Sequence, residues 1–373
     1  MNKIISRINN LKNIEEIYKI YQFNPVEHKI NKKEQLKKLN LQRESLFKDH
    51  LNLPLEIFKN KSLLEFGAAS GEKSLIYSLW KAKITCVEPN KKFTSQLKEN
   101  FRKHNKSCKI FIKRIENYNT SKVYDFVIME NFLSSIKLRK KYLDKSCKFI
   151  KNGGYLIFNY HNPVGFFSEY IKYFILRYYL DKKKIFCIRK SILVAKKFLF
   201  KSFKKINHTR SFDKYVLDQF LLNNFLHKTL WNTNDIFKIM KKNNLRFYSS
   251  YPTYKKPNSV WHKVIMSNKT YNNKILKNYK NLERYFVNEN KTLNQQELIV
   301  IKEVFSVLIR KIKSCSKAKE IIKILKKKSN KKSNYLNTLL RVFTNINPKN
   351  YNKYQSKIGW GYPNHYLVFK KKR

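Results

Sequence analysis

The chain has 373 residues, enough for one large domain or two to three smaller ones, and an aromatic content of 15% excludes wholesale disorder. Its formal net charge of +56 points to a polyanionic partner, whether nucleic acid, an anionic membrane face or an acidic polymer, or else to AT-rich coding, since Lys, Asn, Ile, Tyr and Phe abound while glycine falls to 7 residues and proline to 8. The cysteines Cys86, Cys108, Cys147, Cys187 and Cys315 stand far apart with no C-x-x-C pair, which argues against a zinc site or disulfide framework and fits a reduced, cytoplasmic setting.

Met1 to Asn10 is polar and basic, so no signal peptide is expected. Residues 1–60 read as a mostly helical segment, with apolar positions at helical spacing in Leu36 and Leu39 and again in Phe47 and Leu51; Asn24-Pro25 and Pro54 break it. Lys61 to Gly71 then reads KSLLEFGAASG and runs into EKSLIYSLW. Ser62 to Phe66 is an apolar run of strand length, and Gly67 to Gly71 is a turn of small residues before a helix. Such a turn lets backbone N–H groups and the helix N-terminus face a ligand at close range. Glu65 needs a partner, because a carboxylate inside an apolar strand end is costly. Glu88 closes the next apolar run, Ile84 to Glu88, 21 positions beyond Gly67. An acid at that distance is placed to accept hydrogen bonds from ribose hydroxyls. A nucleoside-containing cofactor is therefore expected, but not a dinucleotide: Ala69 and Glu72 stand where its Gly-x-Gly-x-x-Gly fingerprint needs the second and third glycines.

Glu65-Phe-Gly67-Ala-Ala69-Ser-Gly71 resembles motif I of the class I S-adenosylmethionine-dependent methyltransferases, an acid followed by glycines at alternate positions, with Ala69 replacing the middle glycine. The resemblance implies that Glu65 faces the methionine amino group, that Glu88 faces the ribose, and that Gly67, Ala69 and Gly71 line the cofactor. It also implies a doubly wound, seven-stranded α/β sheet of Rossmann-like type. Strands are expected at Ser62 to Phe66, Lys83 to Glu88, Lys109 to Arg114 and Tyr124 to Glu130, with helices at Glu72 to Trp80, Phe93 to His104 and Arg139 to Ile150. The third strand ends near Glu116, where the family commonly has an acid on the adenine amino group, although Arg114 stands beside that slot. Tyr124-Asp125 to Glu130-Asn131 resembles the family's fourth strand, with Asp125 structural and Glu130 and Asn131 at the tip where cofactor and acceptor meet. Asn152-Gly153-Gly154 reads as a turn feeding a fifth strand, Tyr155 to Tyr160, and His161 just beyond it is the candidate general base, since imidazole titrates near neutral pH. By the same resemblance, Tyr21 to His28 is a candidate lid over the cofactor.

The expected organisation is a helical segment at 1–60, the cofactor-binding core at 61–163, a helical cap at 164–230, a core continuation at 231–257, a second helical insertion at 258–356 and a terminal strand at 357–373. Val164 to Leu180 is the nearest approach to a membrane-spanning run, but Glu169, Lys172 and Arg177 interrupt it. Ile192 to Phe203 mixes apolar groups with lysines, a pattern that caps a pocket, clamps single-stranded nucleic acid or sits on a membrane surface. The core pattern resumes over Asp218 to Leu245, which includes His227; Arg246 to Tyr251 reads as strand six, Lys326 to Asn337 as a linker, and His365 to Phe369 as strand seven. No metal ligand set is apparent. After strand four stands Glu130-Asn-Phe-Leu, not the Asn/Asp-Pro-Pro-Tyr/Phe of amino-methylating nucleic-acid enzymes. The expected activity is methyl transfer from S-adenosylmethionine to an O or N atom of a small-molecule or saccharide-type acceptor. Two alternatives stand beside it: a nucleic-acid methyltransferase, and a non-catalytic binding protein on the same scaffold.

Overall fold

The computed structural model describes residues 33–135, 138–204, 211–221, 230–255, 266–310, 313–328 and 333–372. The lid candidate Tyr21 to His28 and His227 lie outside them. The chain divides into two compact units, one drawn from residues 27–161, 229–281 and 364–373, the other from residues 162–228 and 282–363.

The first unit is built on a seven-stranded sheet of order β3-β2-β1-β4-β5-β7-β6. Its strands are β1 (Ser62–Phe66), β2 (Lys83–Val87), β3 (Cys108–Phe111), β4 (Tyr124–Met129), β5 (Ile150–His161), β6 (Leu245–Tyr251) and β7 (Asn364–Lys371). The first five run parallel, and β7 is antiparallel to both β5 and β6. The doubly wound, seven-stranded sheet expected from the sequence is therefore present. β1, β2 and β4 are buried almost throughout, as parallel strands covered on both faces must be, while edge strand β3 alternates half-buried and exposed residues.

Before the sheet, α1 (Lys33–Glu44) and the turns after it bring Leu39, Phe47, Leu51, Leu53 and Phe58 into the core on one face of the sheet. Phe58 stacks on Phe126 of β4 with ring centroids 4.3 Å apart. α2 (Glu72–Leu79), α3 (Lys91–Lys103) and α4 (Arg139–Cys147) follow β1, β2 and β4. Asn90 caps α3, its side chain accepting from the N–H groups of Lys92 and Phe93. α4 ends at Cys147 and β3 at Phe111, both earlier than the sequence pattern predicts.

Two expectations are corrected. Asn152-Gly153-Gly154 is not a turn before strand five: β5 runs unbroken from Ile150 to His161, and its register against β4 shifts between Tyr124 and Phe126. Gly153 takes φ +80°, and a Cβ on Gly154 would lie 2.8 Å from the Asp125 carbonyl oxygen, so the two glycines form a bulge inside the strand. The expected linker at Lys326 to Asn337 is in large part helix, since Lys326 to Lys328 close one helix and Asn334 to Asn337 open the next behind the Ser333 cap.

The second unit is helical: α5 (Phe167–Lys182), α6 (Ile188–Lys204) and α7 (Phe212–Val216) in its first part, then α10 (Gln295–Leu308), α11 (Ser314–Lys328), α12 (Asn334–Thr344) and α13 (Pro348–Ile358). Two further helices, α8 (Thr233–Lys242) and α9 (Asn268–Phe286), flank β6 in sequence. Asn294 and Glu297 form a reciprocal capping box at the start of α10. Inside this unit Lys172 pairs with Glu169 at 2.8 Å and lies over the Trp360 ring, which offsets the cost of burying a cation. Among the described residues no helix is long and apolar enough to cross a membrane, and no cluster of side chains could hold a metal ion.

Candidate functional site

Because β1, β2, β4 and β5 are parallel, their carboxyl ends fall on one edge of the sheet, and the residues singled out in the sequence follow there. The turn after β1 has left-handed backbone at alternate positions: φ is +69° at Gly67, +47° at Ala69 and +79° at Gly71. Gly67 is required by space as well, since a Cβ there would lie 2.7 Å from the Phe132 ring. Ala69 holds the same region against the steric preference of an L-residue. The turn is tied to the second strand by the Gly67 N–H, which donates to the Val87 carbonyl at 2.9 Å.

Glu88 is buried at the tip of β2. Its Oε2 accepts from the Ala69 N–H at 3.0 Å and its Oε1 from the Asn90 N–H at 2.9 Å, so the motif turn and the start of α3 both orient the carboxylate. Glu65, only 3% exposed, lies beneath the turn and accepts a 2.5 Å hydrogen bond from the Ser74 hydroxyl on α2. Burial, with the nearby Glu130 charge adding to it, pushes its carboxyl up to about 7.

Glu130 follows β4 and is the hub of a buried cluster. Arg43 of α1 donates to both of its oxygens, Lys73 donates to Oε2 at 2.7 Å, and the Tyr77 hydroxyl donates to Oε1 at 2.8 Å. Burial opposes the charge, but Arg43 and Lys73 overcome it and hold the carboxyl down at about 2. Both oxygens are thus taken by protein donors, which leaves Glu130 as an organiser of two cations rather than an open acceptor.

Asn131, at φ +64°, and Asn159 of β5 join the tips of their strands: the Asn131 N–H donates to the Asn159 side-chain oxygen at 2.7 Å, and the Asn159 amide donates back at 2.6 Å. His161 is half-buried at the end of β5. Its backbone is pinned on both sides, the N–H donating to the Ser134 hydroxyl at 2.8 Å and the carbonyl accepting from the Trp231 N–H at 3.1 Å. Glu116 lies in a single turn of 3-10 helix after β3, with Oε1 4.0 Å from Arg114 and Oε2 buried without a hydrogen-bond partner. Asp125 is held by Ser62, whose N–H and hydroxyl both donate to it, and it ties the start of β4 to β1.

Ala69 and Glu88 are brought into direct contact, with Gly67 bonded to Val87 beside them, and so are Asn131 and Asn159; Glu116 stands apart on the far side of β2. The sequence reading missed Arg43, Lys73, Ser74 and Tyr77. Asn159 was detectable as a polar residue closing an apolar strand, whereas Arg43 meets Glu130 across 87 positions and nothing local marks it.

Residues 39–199 match the family model described as "Methyltransferase domain". Solved structures with a similar fold include TehB from Haemophilus influenzae, 22% identical over 29% of this chain and 38% of that one, with a TM-score of 0.27. An S-adenosylmethionine-dependent methyltransferase from Clostridium acetobutylicum is 15% identical over 33% and 49%, with a TM-score of 0.27. The PH0226 protein from Pyrococcus horikoshii is 13% identical over 40% and 68%, with a TM-score of 0.33. The alignments thus cover less than half of the first two proteins. No curated protein matches the chain. The matched segment spans the first five strands of the seven-stranded α/β sheet, and over it the chain is similar to a methyltransferase domain.

Proposed function

We propose that the chain transfers a methyl group from S-adenosylmethionine to an oxygen or nitrogen atom of a small-molecule or saccharide-type acceptor. The observation that carries this reading is the contact between the left-handed turn Gly67–Gly71 and the Glu88 carboxylate, which sets a small-residue strand tip beside an oriented acid. The residues fit the cofactor. On this reading the oriented Glu88 carboxylate would accept from ribose hydroxyls, and the buried Glu116 Oε2, without a hydrogen-bond partner, would accept from an adenine amino group. Glu65, with a carboxyl near neutrality, would ionise fully beside an ammonium group.

The cofactor, when bound, supplies a methyl group already activated on a sulfonium, so the protein's task is alignment. The Glu130 cluster holds Arg43 and Lys73 in place at the end of β4, and the Asn131–Asn159 pair fixes the two strand tips. His161, with its backbone pinned at the end of β5, is assigned the role of accepting the acceptor's proton at a ring nitrogen. A nucleic-acid acceptor is the second reading, and the net charge of +56 favours it.

Calorimetric titration with S-adenosylhomocysteine tests the cofactor assignment. Glu88→Ala is expected to weaken a saturable one-site isotherm by about 10- to 100-fold, the worth of hydrogen bonds to a charged group; unchanged affinity sinks the ribose role. His161→Ala is expected to slow methyl transfer with cofactor affinity intact, and full activity ends its assignment as base. Transfer to bulk RNA with a steep salt dependence would replace the small-molecule acceptor by the second reading, and affinity without turnover on any acceptor would leave a binding scaffold.

A further inference from the structure

α6 presents an outward face that the methyltransferase reading does not use. Its buried residues Ser191, Ala195, Phe198 and Leu199 lie on one side. At about 100° per residue, Arg189, Lys190, Lys196, Lys197, Lys201 and Lys204 all fall on the other side, within an arc of about 140° that contains Leu193 and Phe200. Leu193 is 58% exposed, and Phe186, just before the helix, is 55% exposed; they are the two most exposed large apolar side chains among the described residues. Leu193 lies in the middle of the basic arc with Phe186 exposed just ahead of the helix, while Phe200, half-buried within the arc, packs its ring against Phe212 at 5.2 Å. Lys196 and Lys204 lie against the Phe200 ring, with Nζ 5.1 and 4.9 Å from its centroid.

General lysine richness does not account for this face. α3 and α11 are also rich in lysine, yet each holds an acid in an ion pair, Glu99 with Lys103 and Glu320 with Arg310. α6 has six cations and no carboxylate, and among the described residues none of the six pairs with one.

We infer that this face of α6 docks on the surface of an anionic lipid bilayer, the cations meeting lipid headgroups and Phe186 and Leu193 entering the interface between them. A bilayer is favoured over nucleic acid by shape and chemistry. The face is the convex side of a single helix and not a groove that tracks a phosphate backbone, and its central Leu193 has no ring on which a base could stack. The inference stands independently of the methyl acceptor and of the cofactor.

Cosedimentation of the whole chain with vesicles tests it, using phosphatidylcholine alone and phosphatidylcholine mixed in equal parts with phosphatidylglycerol. Binding is expected to the mixed vesicles only, and to fall as salt rises. Lys190→Glu with Lys197→Glu should lower affinity by about tenfold or more, whereas Lys319→Glu with Lys323→Glu on α11, the same change in net charge, should lower it by less than about threefold. Phe186→Ser with Leu193→Ser should weaken binding at constant charge, and thermal melting of each variant checks that it folds. Equal losses from the two charge reversals, or no effect of the serine variant, would show binding through net charge alone and overturn the assignment. So would the absence of vesicle binding, or RNA binding that depends on the same α6 residues while vesicles do not bind.

Discussion

Glu65 shows how a buried acid at a strand end bears on stability. Burial and the Glu130 charge hold its carboxyl at about 7, above the ordinary 4.5. The folded state therefore binds more protons than the unfolded chain between those two values. This contribution to stability is complete below about pH 4.5, declines as pH rises, and is gone above about pH 7. Glu130 behaves oppositely: held at about 2, it contributes stability above about pH 4.5 that is lost as the solution is acidified toward 2. Glu65→Gln keeps an acceptor for the Ser74 hydroxyl but has no charge to bury. Its melting temperature relative to wild type is expected to rise between pH 5 and pH 8, by at most about 3 kcal/mol of stability. A constant difference across that range would mean that Glu65 is ionised throughout.

At the scale of elements, α1 has a role that its sequence does not advertise. It contributes Leu39 to the core and Arg43 to Glu130, and thereby joins a helix outside the alternating strand–helix pattern to the carboxyl end of β4. The Arg43 guanidinium also lies over the rings of Phe47 and Tyr77, so the cation is enclosed by aromatic faces as well as by a carboxylate. Removing one partner of a buried pair leaves an uncompensated charge, here only partly met by Lys73. Arg43→Met is expected to cost about 3 kcal/mol in urea denaturation, and adding Glu130→Leu should recover part of that loss. Additive losses in the double variant would show that the two residues act independently. Because Lys73 opens α2 directly behind the motif turn, the same cluster connects α1, the turn and the β4 tip.

At the scale of the whole chain, 81 basic residues face 25 acidic ones, and the acids are used selectively. Glu65, Glu88 and Glu130 are all buried at or next to strand tips of the sheet unit. Asp125 braces β4 against β1, and Glu297 caps α10. These five carboxylates hold local geometry, whereas others, such as Glu99, only pair on the surface. In the helical unit the acid-free α6 is where that surplus coincides with exposed apolar side chains. Long-range repulsion among so many cations is screened at physiological salt.

Much of the sheet was legible because its signals are local. An apolar run of five residues, a small-residue turn and an amphipathic helix declare themselves within a few positions, and β1 was expected at the bounds it has. Glu88 was legible for the same reason, since strand length and helix length fix its distance from the turn. The bulge at Gly153 was not, because whether a Gly-Gly pair turns or bulges depends on the register of the neighbouring strand. By itself the sequence determined the order of strands and helices, the small-residue turn after β1 and the acids near it, since these follow from period and spacing along the chain. Only the tertiary structure decided that Glu130 is enclosed by Arg43 and Lys73, and that Asn131 answers to Asn159. Those pairings join residues distant along the chain, and burial, which raises Glu65 and lets two cations lower Glu130, exists only once the chain has packed.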